Sequence, residues 1–212
     1  MSEIENYKVF RPFGPAIGEF EVNSDFIKNL NNYSDEIIED ENKSSSLDVG
    51  KELAGQVKQE FEVDNDYFKE KIESYLTSLV RKYIWSSFEN KIISEENFTK
   101  RFKIRYRNKW IVRQFENEYN PLHSHSGSVS GVCYLLLPKD FGEKSQDAKR
   151  NNPNGCIALS HGSEQFISPA IRLIKPTIGK FIFFPNYLLH TVYPFKGEGE
   201  RRSFSFNADI GF

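Results

Sequence analysis

Residues 180–207 read KFIFFPNYLLHTVYPFKGEGERRSFSFN, and this stretch decides the fold. It contains three short apolar or alternating runs, Lys180–Phe184, His190–Tyr193 and Arg202–Asn207, separated by a Pro-Asn pair and by the turn KGEGE. Runs of this length, with turn residues between them and no helical period, are typical of antiparallel β-strands. The C-terminal part of the chain is therefore predicted to be a β-sheet protein.

The same pattern extends back to about residue 101. Phe102, Ile104 and Tyr106 alternate with basic residues, which predicts an edge strand with one solvated face. Four further apolar runs are predicted as strands: Trp110–Phe115, Val132–Leu137, Cys156–Leu159 and Ile171–Ile174. Eight short strands over roughly 110 residues fit a double-stranded β-helix, the jelly-roll or cupin-like barrel.

The first 95 residues have a helical period instead. The clearest helix begins near Asp64–Asp66 and places Phe68, Ile72, Leu76 and Tyr83 on one apolar stripe, which we expect to lie against the sheet. Shorter helices are predicted from residue 24 to 30 and over 47–61, with the acidic stretch at 35–41 as an exposed loop between them.

These patterns predict a mainly β fold with N-terminal helices. Residues 1–95 are interpreted as a helical extension packed on one sheet of the barrel, and residues 96–212 as the double-stranded β-helix catalytic core. The two parts are expected to form one structural unit. We see no internal repeat.

Composition limits the partners and the compartment. A net charge of -2 lacks the basic excess that binding to nucleic acid normally uses. The stretch MSEIENYKVF carries acidic and polar residues where a signal peptide needs a basic region and then an apolar run, so none is expected. The longest apolar run, Val132–Leu137, is far shorter than the ~20 residues that span a bilayer. Because there are only 2 cysteines, we predict a reducing, cytoplasmic compartment, the host cytoplasm if the chain is viral. No membrane partner is expected, and the charge disfavours nucleic acid as a partner.

Three of the 4 histidines fall in two short segments. His123 and His125 lie in NPLHSHSG, and on an extended backbone residues two apart point to the same side. His190 opens a later predicted strand and suits a residue that faces inward. Three side-chain ligands that leave neighbouring positions open are what an oxygen-activating non-haem iron requires. An exposed or hydrogen-bonded pair would also explain His123 and His125.

Polar residues alternate with phenylalanines in the last predicted strand. Arg201, Ser203, Ser205 and Asn207 share one face, and Phe204 lies on the other. If the rings lie under the N-terminal helix, the polar row faces inward, where an arginine needs a partner. A ligand carboxylate would satisfy Arg201, with a bond from Ser203, and so would an internal salt bridge.

Taken together, the HxH pair, SGVCYL at Ser130–Leu135, the strand FIFFP, the distal histidine and RxSxSFN resemble the 2-oxoglutarate- and Fe(II)-dependent oxygenases. Within that superfamily the chain is similar to a branch of phage and bacterial oxygenases related to the prolyl hydroxylases. The resemblance covers roughly Lys109–Asn207. It implies Fe(II) as the cofactor, 2-oxoglutarate as the co-substrate, and hydroxylation of a peptidyl or small-molecule C–H bond.

The resemblance also implies roles for individual residues. His123 and His190 would be iron ligands, and His125 would occupy the position that holds a carboxylate in most of the superfamily. The three histidines would thus form both the metal site and the catalytic site. Arg201 would pair with the distal carboxylate of 2-oxoglutarate, with Ser203 beside it and a phenol from Tyr134.

Two other functions fit the same residues. A three-His cupin-like dioxygenase would bind oxygen and substrate directly on iron and would need neither 2-oxoglutarate nor an inward arginine. A jelly-roll binding or virion structural module would hold a non-catalytic metal. The substrate itself, a protein, a peptide or a small molecule, is left open by the sequence.

Overall fold

The structure, a computed structural model, describes residues 6–10, 14–88, 94–143 and 150–211. This part of the chain contains eleven strands in two antiparallel sheets. The strands are β1 (Tyr7–Phe10), β2 (Ile17–Glu21), β3 (Gln59–Glu62), β4 (Lys103–Gln114), β5 (Asn120–His123), β6 (Val129–Leu136), β7 (Ile157–Ser160), β8 (Ile171–Ile174), β9 (Lys180–Pro185), β10 (Leu189–Val192) and β11 (Arg201–Gly211).

The two sheets face each other as in a jelly roll. The large sheet has the strand order β1-β2-β9-β6-β11-β4-β3, and the small sheet has the order β5-β10-β7-β8. An apolar layer lies between them, with Ile182 and Leu159 fully buried in it. The predicted mainly β fold with N-terminal helices is confirmed.

Helices cover the other face of the large sheet. They are α1 (Ser24–Glu39), α2 (Glu41–Ser46), α3 (Asn65–Tyr67), α4 (Glu73–Ser87) and α5 (Glu95–Thr99), with a π-helical segment at Phe68–Ile72 and a 3-10 turn at Gly50–Glu52. Buried residues of α1 and α4 form one core with outward side chains of the sheet such as Phe181, Phe204 and Cys133. None of the helices in the described ranges is long and apolar enough to cross a membrane.

The helix predicted from Asp64 onward is confirmed in type and in the face it buries. The Asp64 carboxylate accepts hydrogen bonds from the backbone N–H of Asp66 and Tyr67 (2.9 and 3.0 Å), which caps the helical run. Ile72 and Leu76 are fully buried against the sheet. The apolar stripe therefore fixes the run against the sheet, as its period indicated.

Helix α1 is longer than the sequence predicted, and the acidic stretch is not a loop. Leu30 and Ile37 both lie on the buried face of α1, so its apolar spacing continues through the acidic segment. The carboxylate of Asp35 accepts a hydrogen bond from the Arg202 guanidinium of β11 (2.8 Å). The acidic residues thus lie on the outer side of a helix that is anchored by its apolar positions.

The helix predicted over 47–61 is wrong. That segment holds the 3-10 turn and then β3, which pairs antiparallel with β4 through Glu60↔Val112 and Phe61↔Ile111. Glycines at 50 and 55 disfavour a helix, and β4 offers an open edge whose backbone groups need partners.

The predicted basic strand and the run predicted at Trp110–Phe115 form one strand, β4 (Lys103–Gln114), which pairs with β11 along its length. Because β3 pairs only with Trp110–Arg113, the basic first half of β4 keeps the exposed edge that was predicted. Strands β1, β2 and β3 show that the first 95 residues contribute to the large sheet as well as the helices. The boundary at 95/96 stays a prediction.

Candidate metal and co-substrate site

Three imidazoles meet at one end of the barrel. His123 ends β5 and is paired in register with His190 of β10, while His125 follows in the turn to β6. The ring centroids are 4.2 Å apart for His123 and His190, and 4.9 Å apart for each of the other two pairs. One nitrogen from each ring lies within 4.8 Å of the others, which suits three donors around one cation.

Two of the rings are oriented by the backbone. Nδ1 of His123 lies 2.7 Å from the carbonyl oxygen of Pro121, and Nδ1 of His190 lies 2.9 Å from that of Leu188. A carbonyl only accepts, so each Nδ1 carries the hydrogen and donates it. The lone pair is then on Nε2, which is free to bind a metal.

Burial keeps His190 and His125 uncharged. Desolvation, with a smaller contribution from the neighbouring His123, lowers the pKa of His190 to about 3 and that of His125 to about 4. A neutral imidazole is the form that ligates a metal, because protonation would occupy the lone pair. The Phe184 ring, 4.8 Å from that of His190, contributes to this apolar environment.

Arg201 is buried without an acidic partner. It begins β11, is 2% exposed, and donates from one Nη to Gln114 Oε1 (2.8 Å). Its Nε and second Nη are buried and have no hydrogen-bond partner, and within the described ranges it makes no ion pair. The internal salt bridge that the sequence left open is therefore not present.

Tyr134 lies beside Arg201 in the same layer. The guanidinium carbon is 4.9 Å from the centre of the Tyr134 ring, and the hydroxyl of this fully buried tyrosine has no partner either. Burial raises the pKa of Tyr134, although the charge of Arg201 opposes that effect. Two guanidinium nitrogens and one hydroxyl thus lack partners in an apolar interior, and a bound anion would supply one.

A cavity connects the histidines to Arg201. Its walls include Ser203 and Ser205 from the inward face of β11 and Asn120 from β5. Ser130 donates to Asn207 at the far end of the same polar row (2.6 Å). The alternation predicted for this strand is confirmed, because Phe204 and Phe206 lie on the opposite face in the helix-covered core.

Sequence reasoning missed three residues of the site. Trp110 contacts the His125 ring edge-on at 5.9 Å, Gln114 holds Arg201, and Asn186 contacts the turn that carries His125. The sequence did carry a signal for Trp110 and Gln114, because in a strand residues two apart share a face and both lie two residues from the inward-facing Val112 of β4. Asn186 gave no signal beyond the turn tendency of a Pro-Asn pair.

A β-helix barrel with three converging imidazoles and an unpaired buried arginine offers the donors and the anion partner that a non-haem metal oxygenase requires. Residues 108–207 match the family described as "Putative 2OG-Fe(II) oxygenase". The matched segment is just under half of the chain, and it carries the three histidines and Arg201. The expected cofactor and co-substrate, Fe(II) and 2-oxoglutarate, are confirmed at the level of the family.

Solved structures share the fold at low sequence identity. A viral collagen prolyl hydroxylase of Paramecium bursaria Chlorella virus-1, in complex with 2OG, has a TM-score of 0.52 at 14% identity, covering 92% of this chain and 94% of its own. A Pseudomonas putida prolyl-4-hydroxylase also has a TM-score of 0.52 at 14% identity, and the match covers 92% of this chain and 93% of its own.

A Trichoplax adhaerens prolyl hydroxylase, bound to a hypoxia inducible factor peptide fragment, has a TM-score of 0.54 at 13% identity, covering 96% of this chain and 83% of its own. At these identities the similarity establishes the fold alone. No curated protein matches the sequence.

Proposed function

We propose that the chain is an Fe(II)- and 2-oxoglutarate-dependent hydroxylase whose metal ligands and catalytic residues are His123, His125 and His190. In the same proposal, Arg201, Ser203 and Tyr134 bind the co-substrate. The observation that carries it is the buried Arg201, which has two unpartnered nitrogens at one end of a cavity and three imidazoles along its wall.

The side chains of this cavity suit Fe(II) and 2-oxoglutarate chemically. Bound Fe(II) supplies the oxygen chemistry, in which O2 and 2-oxoglutarate give succinate and CO2 while one oxygen atom enters a substrate C–H bond. The imidazoles present neutral donors, two of them with the tautomer fixed by a carbonyl. The planar guanidinium of Arg201 matches a carboxylate, and Gln114 keeps it oriented.

The remaining walls of the cavity exclude water. Val132, Ile157, Phe184 and Val192 line it with apolar side chains, so that water has few partners there. In this low-dielectric space the attraction between Arg201 and a carboxylate is stronger than in solvent. The protein therefore binds and orients the co-substrate while keeping the reacting centre dry.

His125 in the usual carboxylate position changes the charge of the site. Three neutral imidazoles leave the full double charge on Fe(II), whereas a triad with one carboxylate leaves a single charge. The two carboxylates of 2-oxoglutarate would balance the double charge. We therefore propose that the replacement of the carboxylate preserves co-substrate binding.

The substrate we propose is a peptidyl side chain or a small molecule with an unactivated C–H bond. The support is the family match together with the shared fold of prolyl hydroxylases, one of which was solved with a peptide bound. No helix of the described residues suits a membrane span, and the net charge is slightly negative. Nucleic acid and membrane are not proposed as partners.

The test is succinate formation by the purified chain with Fe(II), 2-oxoglutarate and oxygen, with and without candidate substrates. We expect slow turnover that needs both iron and oxygen and is lost in His190→Ala and in His123→Ala. His161→Ala, outside the cluster, is the matched control and should keep it. Equal turnover by the wild type and both cluster variants would contradict the proposal, and so would a folded, iron-loaded wild type without turnover.

The same assay separates the two other functions. A three-His dioxygenase would keep metal-dependent oxygen consumption in Arg201→Ala and without 2-oxoglutarate. A binding or virion module would take up metal and consume neither oxygen nor 2-oxoglutarate.

We also propose that residues 1–95 and 96–212 form one unit, since β1, β2 and β3 belong to the large sheet. A cytoplasmic location, in the host if the chain is of phage origin, fits two cysteines that are free and buried.

A further inference from the structure

His125 is held differently from the other two histidines. The rings of His123 and His190 are each fixed by a bond from Nδ1 to a carbonyl. Within the described ranges, neither ring nitrogen of His125 has a hydrogen-bond partner, and its ring contacts only other rings: the two other imidazoles at 4.9 Å and the edge-on ring of Trp110 at 5.9 Å. The placement of this imidazole therefore depends on the backbone that carries it.

That backbone is the turn 124–128, and Asn186 binds it at three points. The N–H of His125 donates to the Asn186 carbonyl oxygen (2.9 Å), and Nδ2 of Asn186 donates to the Ser126 carbonyl oxygen (2.8 Å). The N–H of Asn186 donates to the carbonyl oxygen of Ser128 (3.4 Å). Asn186 is 2% exposed, so these bonds are shielded from competing water.

The turn is shaped to accept this amide. Gly127 has φ +117°, a conformation that L side chains rarely adopt. A Cβ at Gly127 would lie 3.0 Å from Nδ2 of Asn186, which is closer than ordinary van der Waals contact. A glycine here therefore lets the turn lie directly on the Asn186 side chain.

We infer that Asn186 is the positioning residue of the third metal ligand. It precedes His190 by four residues and binds the turn of His125, so it fixes the two ligands relative to each other. The inference rests on the proposed function, because it concerns the affinity of the three-imidazole site for metal. Ligands that are already in place bind metal tightly, and loss of an outer orienting group typically weakens binding about 10–100-fold.

The test uses Asn186→Asp, which keeps the shape of the side chain but removes the donor that faces the Ser126 carbonyl. The matched control is Asn154→Asp: Asn154 Nδ2 donates to the Phe141 and Glu143 carbonyl oxygens in a loop outside the histidine cluster. Metal-free protein is titrated with Co(II) alone, and the d–d absorption gives the Kd and the ligand geometry. We expect the Kd to rise about 10–100-fold in Asn186→Asp and to stay within about twofold in Asn154→Asp.

Gly127→Ala is a second variant, which displaces the same turn without changing Asn186. It should also weaken Co(II) binding and alter the d–d spectrum. Wild-type protein that binds no Co(II) would overturn the proposed function together with this inference. Wild-type protein that binds tightly, with an unchanged Kd and spectrum in the folded variants, would overturn the inference alone, even if their melting temperatures fall.

Discussion

Arg201 is the residue on which the proposed binding of 2-oxoglutarate depends. Lysine at this position keeps the charge but loses the planar fork, the stacking on Tyr134 and the geometry of the bond to Gln114. We predict that Arg201→Lys raises the KM for 2-oxoglutarate at least about tenfold, with the Kd for Co(II) unchanged. Succinate formation over a range of 2-oxoglutarate concentrations measures the first quantity, and the metal titration measures the second.

Arg172→Lys is the control for this change. Arg172 also stacks on an aromatic ring, that of Phe10 at 5.6 Å, but it is exposed on β8. The substitution Arg172→Lys should leave the KM for 2-oxoglutarate unaltered. An unchanged KM in Arg201→Lys would show that the guanidinium does not hold the co-substrate.

Among single residues, those with a local signal could be predicted from the sequence. The HxH spacing and the alternation after Arg201 each depend on a few neighbouring residues, and the structure brings those side chains to one cavity. Asn186 and the turn it binds lie about 60 residues apart in the chain, as its bond to Ser126 shows. Contacts of this kind depend on tertiary packing, which a turn signal does not encode.

Strand β3 buries a carboxyl group at the edge of the large sheet. Glu60 is paired with Val112, a wall of the cavity, is 2% exposed, and its Oε2 has no partner. Burial, with smaller contributions from the charges of Asp48 and Glu118, raises the pKa of Glu60 from 4.5 to about 7. The folded chain therefore binds a proton that the unfolded chain releases between these two pH values.

This gives a prediction for Glu60→Gln. Because the folded-state pKa is the higher one, the wild type loses stability as pH rises from about 4.5 to about 7. Glutamine does not titrate and lacks this loss. The free energy of unfolding of Glu60→Gln, measured relative to that of the wild type, should therefore increase by up to about 3 kcal/mol as pH rises through this window. Urea unfolding of both proteins at several pH values measures the gain. A difference that does not change with pH would contradict it.

Among the elements, β8 was predicted at its observed bounds, because its apolar run lies between clear turn residues. Strands β1, β2, β3 and β5 were missed. They are four or five residues long, and β2, β3 and β5 owe their pairing to strands far away in sequence: β9, β4 and β10. The length of α1 was missed because its acidic residues masked an apolar spacing of three and four.

In the whole molecule, the proposed metal and co-substrate sites lie on different sheets. His123 and His190 belong to the small sheet, and Arg201 and Ser203 begin the last strand of the large sheet. A 2-oxoglutarate molecule that contacts both the metal and Arg201 would connect the two sheets. Ligands that bind only the folded state raise its stability, and here each would strengthen the binding of the other.

We therefore predict that Co(II) and 2-oxoglutarate together raise the melting temperature by more than the sum of their separate effects. Thermal unfolding of the full chain measures the three shifts. Succinate is the matched ligand, because it has both carboxylates but lacks the keto oxygen and should give a smaller joint effect. A strictly additive result with 2-oxoglutarate would contradict a shared site.

The two thiols offer a built-in reporter of how this molecule opens. Cys133 is fully buried between the large sheet and the helices, and Cys156 is buried next to β7 of the small sheet. Burial raises the pKa of both thiols, so neither reacts as a thiolate while its layer stays closed. The alkylation rate of Cys133, followed by mass spectrometry, would thus report when the helices separate from the large sheet. The rate of Cys156 would independently report when the small sheet becomes exposed, and neither measurement needs an engineered cysteine.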